Sequence, residues 1–405
     1  MAVGKDYFPE MHPVPGFKLG TTSAGIKTPD RKDLVVMSMP EGSSVAGVFT
    51  TNSFCAAPVQ LCKAYMDKAD SRYFVTNTGN ANAGTGEQGM QDAETICESL
   101  AEIAETTTEA VLPFSTGVIG EPLPVNKIVA ALPAAYANIT ESGWSDAAWG
   151  ILTTDTRPKG DSVQLQLMES TVTITGIAKG SGMIKPNMAT MLSYVATDMA
   201  ISPTLLQELV RNAVEASFNR ITVDGDTSTN DCAMLVATGV SGIEYSELSE
   251  AEQLLFVTQL NQLFISLAQQ IIQDGEGATK FVTVEVLGGN TSEESLAVAY
   301  TVAESPLVKT ALFASDPNWG RILAAIGRAG ISDLNVDTIS VYLGNVLIAE
   351  KGGRAESYRE SDGQAVMDQE DISIRIMLNR GDVDETVWTT DLSHDYIKIN
   401  AEYRT

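Results

Sequence analysis

Histidine is the scarcest chemistry-bearing residue here: two among 405, His12 and His394, stand at opposite ends of the chain. A zinc site built on imidazoles is thereby disfavoured, and a Ser-His-Asp hydrolase would have to rely on one of these two. His394 sits in the polar run Asp391-Leu392-Ser393-His394-Asp395, which reads as a turn, and neighbours in sequence do not make a spatial triad. Both histidines are read as structural. Cysteine is nearly as sparse. Cys55, Cys62, Cys97 and Cys232 form no CxxC pair, so they read as reduced, partly buried thiols rather than a disulfide framework. Positive charge is short as well: 26 Lys and Arg against 52 Asp and Glu leave a formal net charge of −26. Nucleic-acid binding needs cations to displace the counterions of phosphates, and an anionic membrane surface attracts cations too, so neither partner is expected. The acidity favours solubility and gives at most a weak pull on cationic amines. No stretch approaches the roughly 20 apolar residues of a membrane span. Residues 1–16 (MAVGKDYFPEMHPVPG) lack a basic segment followed by an apolar core, so no secretory signal is read and a cytoplasmic location is the default expectation.

What is present is ordinary in bulk, with 44% hydrophobic and 19% charged residues, and the length suits two or three domains. Short β-prone runs at 33–39, 44–50 and 73–76 alternate with turn signals. Residues 77–89 (NTGNANAGTGEQG) read as a loop leading into a helix over 91–105, where Ala93, Ile96, Cys97, Leu100 and Ile103 recur at helical spacing. Gly84 to Gly89 spell GxGxxG. One match is cheap in a chain with 33 glycines, and the acidic residues that follow lie inside the helix, so a tight turn is the preferred reading over a dinucleotide site. A strand at 110–114 is expected to stop at Thr116-Gly117, exposing an N–H and a hydroxyl that could face an oxyanion, although such a loop is also commonplace. Two alternating runs, 163–168 and 172–177, predict a hairpin. Ser202-Pro203 opens a helix with the stripe Leu205, Leu206, Leu209, Val210, Ala213, Val214 and Phe218. The acidic segment 221–231 (ITVDGDTSTND) lacks a Gly and a terminal Glu at the fixed spacing of a calcium loop and reads as Asx turns. Ser249 and Glu252 form a capping box for a long helix that stops near Gly275. Glu276, between two glycines, reads as a solvated corner charge. Beyond residue 281 a smaller α/β unit is expected, with strands at 281–287, 338–343 and 372–378, a helix near 307–312, and Asn318-Trp319-Gly320-Arg321 entering an apolar run at 322–326.

The chain is organised around residues 179–197, KGSGMIKPNMATMLSYVAT. Gly180, Gly182 and Pro186 force a bend, after which 191–196 supplies a buried strand. Thr190, behind Ala189, stands at the junction. By spacing alone it is a β-favouring residue. With imidazole scarce, a covalent catalyst would need another base, and the free α-amine of an N-terminal Thr is one.

GSGMIKPNMATML resembles the self-cleavage segment of the ornithine acetyltransferases, also called bifunctional glutamate N-acetyltransferases. The likeness extends to the Thr116-Gly117 pair, the Thr153-Thr154-Asp155-Thr156 segment, residues 274–280 (DGEGATK) and residues 396–405 (YIKINAEYRT), and it implies that segment 221–231 lies near the active site, with no role assigned. The resemblance implies a layered αββα sandwich of the N-terminal-nucleophile-like, self-cleaving α/β type, with residues 1–280 as the core domain and 281–405 as a smaller C-terminal α/β domain. It implies scission between Ala189 and Thr190 into chains 1–189 and 190–405, and a heterotetramer of two copies of each. Thr190 would be the nucleophile, and Thr116 with Gly117 the oxyanion hole. Thr153 (with Thr154 or Thr156 as substitutes), Lys179, Thr190, Glu276, Asn400 and Thr405 would contact substrate. Lys179 also reads as a solvated charge before a glycine turn. The implied activity is ping-pong acetyl exchange from N-acetylornithine to glutamate in arginine biosynthesis, without metal or organic cofactor. Whether acetyl-CoA serves as a second donor is left open. The rivals are an amidase or aminopeptidase of the same N-terminal-nucleophile kind and, more distantly, a nucleotide-binding protein using the 84–89 loop.

Overall fold

The computed structural model describes residues 2–4, 7–185 and 191–402. Ala189, Thr190 and Thr405, and with them the expected cleavage junction and C-terminal contact, lie outside the described residues.

Among the described residues three sheets form. The first orders Lys18–Thr22, Leu34–Ser38, Tyr73–Asn80 and Val111–Val118; the second orders Ser44–Phe49, Cys232–Ala237, Leu192–Thr197, Ser170–Lys179 and Lys159–Leu167. These two lie face to face. Helices Ala57–Met66, Gly86–Ala104 and Val125–Ala137 pack on the first, and Pro203–Ala216 and Glu250–Gln273 on the second. The layering is thus αββα, as the resemblance implies. Its sequence cause is visible in the run Cys232–Ala237, CAMLVA. Cys232, Met234 and Val236 join the core between the sheets, while Ala233, Leu235 and Ala237 join the core beneath the second pair of helices. A strand covered on both faces carries apolar residues at every position. The third sheet, from Ile221–Thr222 at one edge to Gly353–Arg354 at the other, packs helix Ser292–Ala303 and has its own apolar core.

The hairpin expected at 163–177 is Lys159–Leu167 with Ser170–Lys179. Its two-residue turn holds Met168 (φ 47°) and Glu169 (φ 66°) in the left-handed region, the twist-matched geometry of a tight hairpin. The Ser249–Glu252 capping box is present. Several expectations need correction. Residues 77–80 continue a strand, and the helix begins at Gly86 rather than 91, which shrinks the expected loop to 81–85. Asn82 causes this: its Nδ2 donates to the Gly89 carbonyl at 2.8 Å while Thr85 Oγ1 donates to its Oδ1 at 2.8 Å, tying the helix start down. A Cβ at Gly89 would fall 1.9 Å from Thr85 Oγ1, so packing, not a phosphate, explains that glycine. The strand expected to stop at Thr116-Gly117 runs through to Val118 because it pairs with the extended 73–80 strand. His394 is not in a turn; it begins helix His394–Ala401 behind the cap Ser393, edge-on to Phe313. Helix Ser292–Ala303 is present in addition to the expected elements. Three of the four cysteines are buried, and all four are free thiols. Among the described residues no helix is long and apolar enough to cross a membrane.

A buried polar contact crosses the apolar space between the facing sheets, away from their cleft ends. The hydroxyls of Thr76 and Tyr194 share a 2.7 Å hydrogen bond, with the Tyr194 ring packed on Phe74 and Phe114. Tyr194→Phe keeps the ring and strands the buried Thr76 hydroxyl, so unfolding by urea should show a loss of about 1–3 kcal/mol. Adding Thr76→Val should restore most of it, and a double variant no better than the single would contradict this account.

Candidate active site

The cleft opens where the first sheet loses its regular ladder. The register between Tyr73–Asn80 and Val111–Val118 shifts at Gly79-Asn80, with Gly79 at φ 95° and Gly117 at φ 135°. A Cβ on Gly117 would lie 2.3 Å from the Gly79 carbonyl carbon, so only glycine lets the two backbones approach so closely. This bulge turns Thr116 and Gly117 toward the end of strand Ser170–Lys179, where Lys179 Nζ donates to Thr116 Oγ1 at 3.4 Å. Lys179 is 8% exposed, which replaces the solvated-charge alternative. Burial pulls its pKa below the ordinary lysine value; neighbouring Asp155 pushes the other way.

The facing wall is the corner that ends helix Glu250–Gln273. Glu276 is 7% exposed, so the solvated-corner reading is also corrected. Its N–H donates to the Ser181 carbonyl at 2.8 Å, and Asn400 Nδ2 donates to its Oε2 at 2.8 Å. Burial raises the Glu276 pKa, while hydrogen bonds from Thr154 and Asn400 hold it down in part. Gly182 faces this carboxylate so closely that a Cβ there would fall 2.2 Å from Oε2. The glycine bend of 180–182 therefore serves to admit Glu276 to the cleft.

Between the walls lies a cavity of about 250 Å³ whose lining includes Thr116, Gly117, Thr153, Lys179, Glu276 and Asn400. Five separated segments meet there, and every site residue expected from the sequence that falls among the described residues is in the lining. Thr154 lines it as well and bonds Glu276. Thr156 instead bonds Asp274 through its N–H at 3.0 Å and its hydroxyl. Neither histidine lines the cavity, and among the described residues no cluster of His, Cys, Asp or Glu could hold a metal ion.

The residues that sequence reasoning missed stand behind this lining. Lys159 Nζ lies 2.6 Å from both Asp155 Oδ1 and Asp274 Oδ2, with all three side chains at most 1% exposed. Burial alone would raise the Asp155 pKa, but Lys159 and Lys179 outweigh it and hold the carboxyl far below its usual range. Asn230 Nδ2 reaches the Ala81 and Ser115 carbonyls at 2.6 and 2.9 Å, joining the cleft ends of the two facing sheets. The 221–231 segment, assigned no role from sequence, grips the described end before the junction, and Cys232 directly after it holds the end beyond. Asp224 accepts the Met183 and Ile184 N–H groups at 2.6 and 2.9 Å, Thr227 Oγ1 donates to the Lys185 carbonyl at 3.1 Å, and the Cys232 N–H donates to the Met191 carbonyl at 3.0 Å. Apart from the Lys159–Asp155 pair, four residues apart, these contacts join positions 40 to 149 residues apart, so no local pattern marks them; likeness to a family segment near the active site was the sign that 221–231 belonged here.

The family model described as the ArgJ family matches residues 18–405, and the chain belongs to that family. Two relatives are each called Arginine biosynthesis bifunctional protein ArgJ, one from Pseudomonas syringae pv. tomato (strain ATCC BAA-871 / DC3000) and one from Pseudomonas fluorescens (strain Pf0-1). Each is 60% identical over 408 residues, covering 100% of both chains. Among solved structures, an arginine biosynthesis bifunctional protein argJ from Bacillus halodurans is 36% identical, with a TM-score of 0.48 over 51% of this chain and 96% of its own. An ornithine acetyltransferase complexed with ornithine, from Mycobacterium tuberculosis, is 33% identical, with a TM-score of 0.41 over 44% and 94%. The chain is an acetyl-transferring enzyme of arginine biosynthesis.

The burial of Glu276 has a consequence for stability. Its folded-state pKa stands above the ordinary value, so its favourable share is complete below the unfolded value of about 4.3. That share is lost as pH rises through the folded value. Glu276→Gln cannot ionise. It should unfold at higher urea than wild type at neutral pH, with the gap closing toward pH 4; a pH-independent gap would contradict burial as the cause.

Proposed function

We propose that this chain moves an acetyl group from N-acetylornithine to glutamate through an acetyl ester on Thr190, after cutting itself between Ala189 and Thr190. The observation that carries this reading is the convergence of Thr116, Gly117, Thr153, Lys179, Glu276 and Asn400 on one cavity.

In maturation the Thr190 hydroxyl attacks the Ala189 carbonyl carbon, and the scissile C–N bond breaks as its nitrogen takes a proton. Water then opens the ester, leaving a carboxylate on Ala189 and a free α-amine on Thr190. In turnover that amine takes the proton of its own hydroxyl, whose oxygen attacks the acetyl carbonyl of N-acetylornithine. The negative oxygen of the tetrahedral intermediate would face the Gly117 N–H and the Thr116 hydroxyl, donors held in place before the charge develops. Lys179, bonded to Thr116 Oγ1, can donate only, so in that pairing the hydroxyl keeps its own proton free to donate. The amine of ornithine leaves with the proton, and the amine of glutamate then attacks the acetyl-threonine to give N-acetylglutamate. Lys179 would meet a substrate carboxylate as a point charge. Glu276, steadied by Thr154 and Asn400, would serve the cationic side chain of ornithine. No step calls for a metal or an organic cofactor, acetyl-CoA remains available as a second donor, and the assembly would hold two copies of each fragment.

Denaturing electrophoresis should resolve wild type into fragments 1–189 and 190–405 and Thr190→Ala into one intact chain. Intact, fully active wild type would defeat the maturation step. Acetyl release from N-acetylornithine should depend on glutamate, whereas an N-terminal-nucleophile amidase would release acetate without it. Thr116→Val should lower kcat by roughly 10²–10³-fold, the usual cost of losing one oxyanion donor.

A further inference from the structure

The buried Lys159 lines no part of the cavity, and the steps above do not use it. Its two carboxylate partners each reach a different cleft wall. Asp155 accepts the Thr153 N–H at 3.0 Å and the Gly180 N–H at 2.7 Å, and its Oδ2 stands 4.0 Å from Lys179 Nζ. Asp274 accepts the Thr156 N–H at 3.0 Å, its carbonyl takes the Ser181 hydroxyl at 2.7 Å, and Glu276 lies two residues on. One ammonium thus joins residues 153–156, 179–181 and 274–276. Burying three charges costs more than their attraction returns unless geometry is very good, and apolar packing often holds a fold together as well. Stability alone is therefore a weak reason for charge at this position.

We propose that Lys159 is a positioning residue that sets the spacing and environment of Lys179 and Glu276 across the cleft from outside it. The inference rests on the reading that Lys179 binds a substrate carboxylate as a cation during acetyl exchange. The charged groups facing Lys179 are Asp155, Lys159, Asp231 and Glu276. Burial is the chief cause of its lowered pKa; Lys159 adds to the lowering, and the three carboxylates oppose it. Activity should therefore fall on the alkaline side as Lys179 loses its proton. Removing Lys159 or Asp155 should move that limb in opposite directions.

The test is the pH dependence of kcat/KM for acetyl exchange by the matured two-chain enzyme. Lys159→Met should shift the alkaline midpoint up by about one pH unit and Asp155→Asn should shift it down by a similar amount. Asp155→Asn keeps the side-chain shape and leaves the Lys159–Asp274 pair, so it reports even where Lys159→Met does not fold. A merely structural strut would change the yield of folded enzyme and leave the midpoint at its wild-type position. Unshifted midpoints, shifts in the same direction, or the failure of both variants to fold would overturn the proposal. Wild type that exchanges no acetyl would remove the reading of the cleft itself, and the same assay shows that before any variant is compared.

Discussion

A strand buried on both faces can offer chemistry only at its ends, and that constraint organises the molecule. Leu192–Thr197 lies inside the second sheet with every residue buried, paired in parallel to Cys232–Ala237 and antiparallel to Ser170–Lys179. Its interior positions are committed to packing, apart from the hydroxyl of Tyr194, which bonds Thr76 of the facing sheet. Polar function is therefore displaced to the mouth of the strand. There the Thr116-Gly117 bulge, the 179–182 bend, the Glu276 corner and the 221–231 segment meet. Two of these surrender regular structure through glycine where backbones or a carboxylate must come close.

Desolvation dominates the electrostatics of that mouth. Burial is the first cause of the lowered pKa of Lys179 and of the raised pKa of Glu276, so each is pushed toward its neutral form. Asp155 goes the other way because two ammonium groups outweigh its burial. The cleft is thus costly to the folded state and tuned by charges behind it. Such a site trades stability for readiness to bind charged substrates.

Legibility from sequence followed the range of the interactions concerned. The hairpin, the capping box and the apolar stripe of Pro203–Ala216 depend on residues within a few positions of each other, and they stand close to where the pattern put them. Elements that depend on distant pairing were misjudged at their ends, as when 77–80 joined a strand and Val111–Val118 ran on beside it. Thr116, Gly117, Thr153, Lys179, Glu276 and Asn400 came from likeness to a known family. Their residue types alone fit ordinary turns and solvated charges equally well.

The sequence by itself determined the chemistry available: almost no imidazole, no disulfide framework, one strongly punctuated bend before a buried strand, and the motif set of an acetyltransferase. Only the tertiary structure decided which charges are buried and what they face. Lys159, Asp155 and Asp274 look like surface residues in a row of letters, yet they form a dry ion network because strands and loops up to 119 residues apart close over them. Burial is a property of what packs around a group, and no local pattern of residues carries that information.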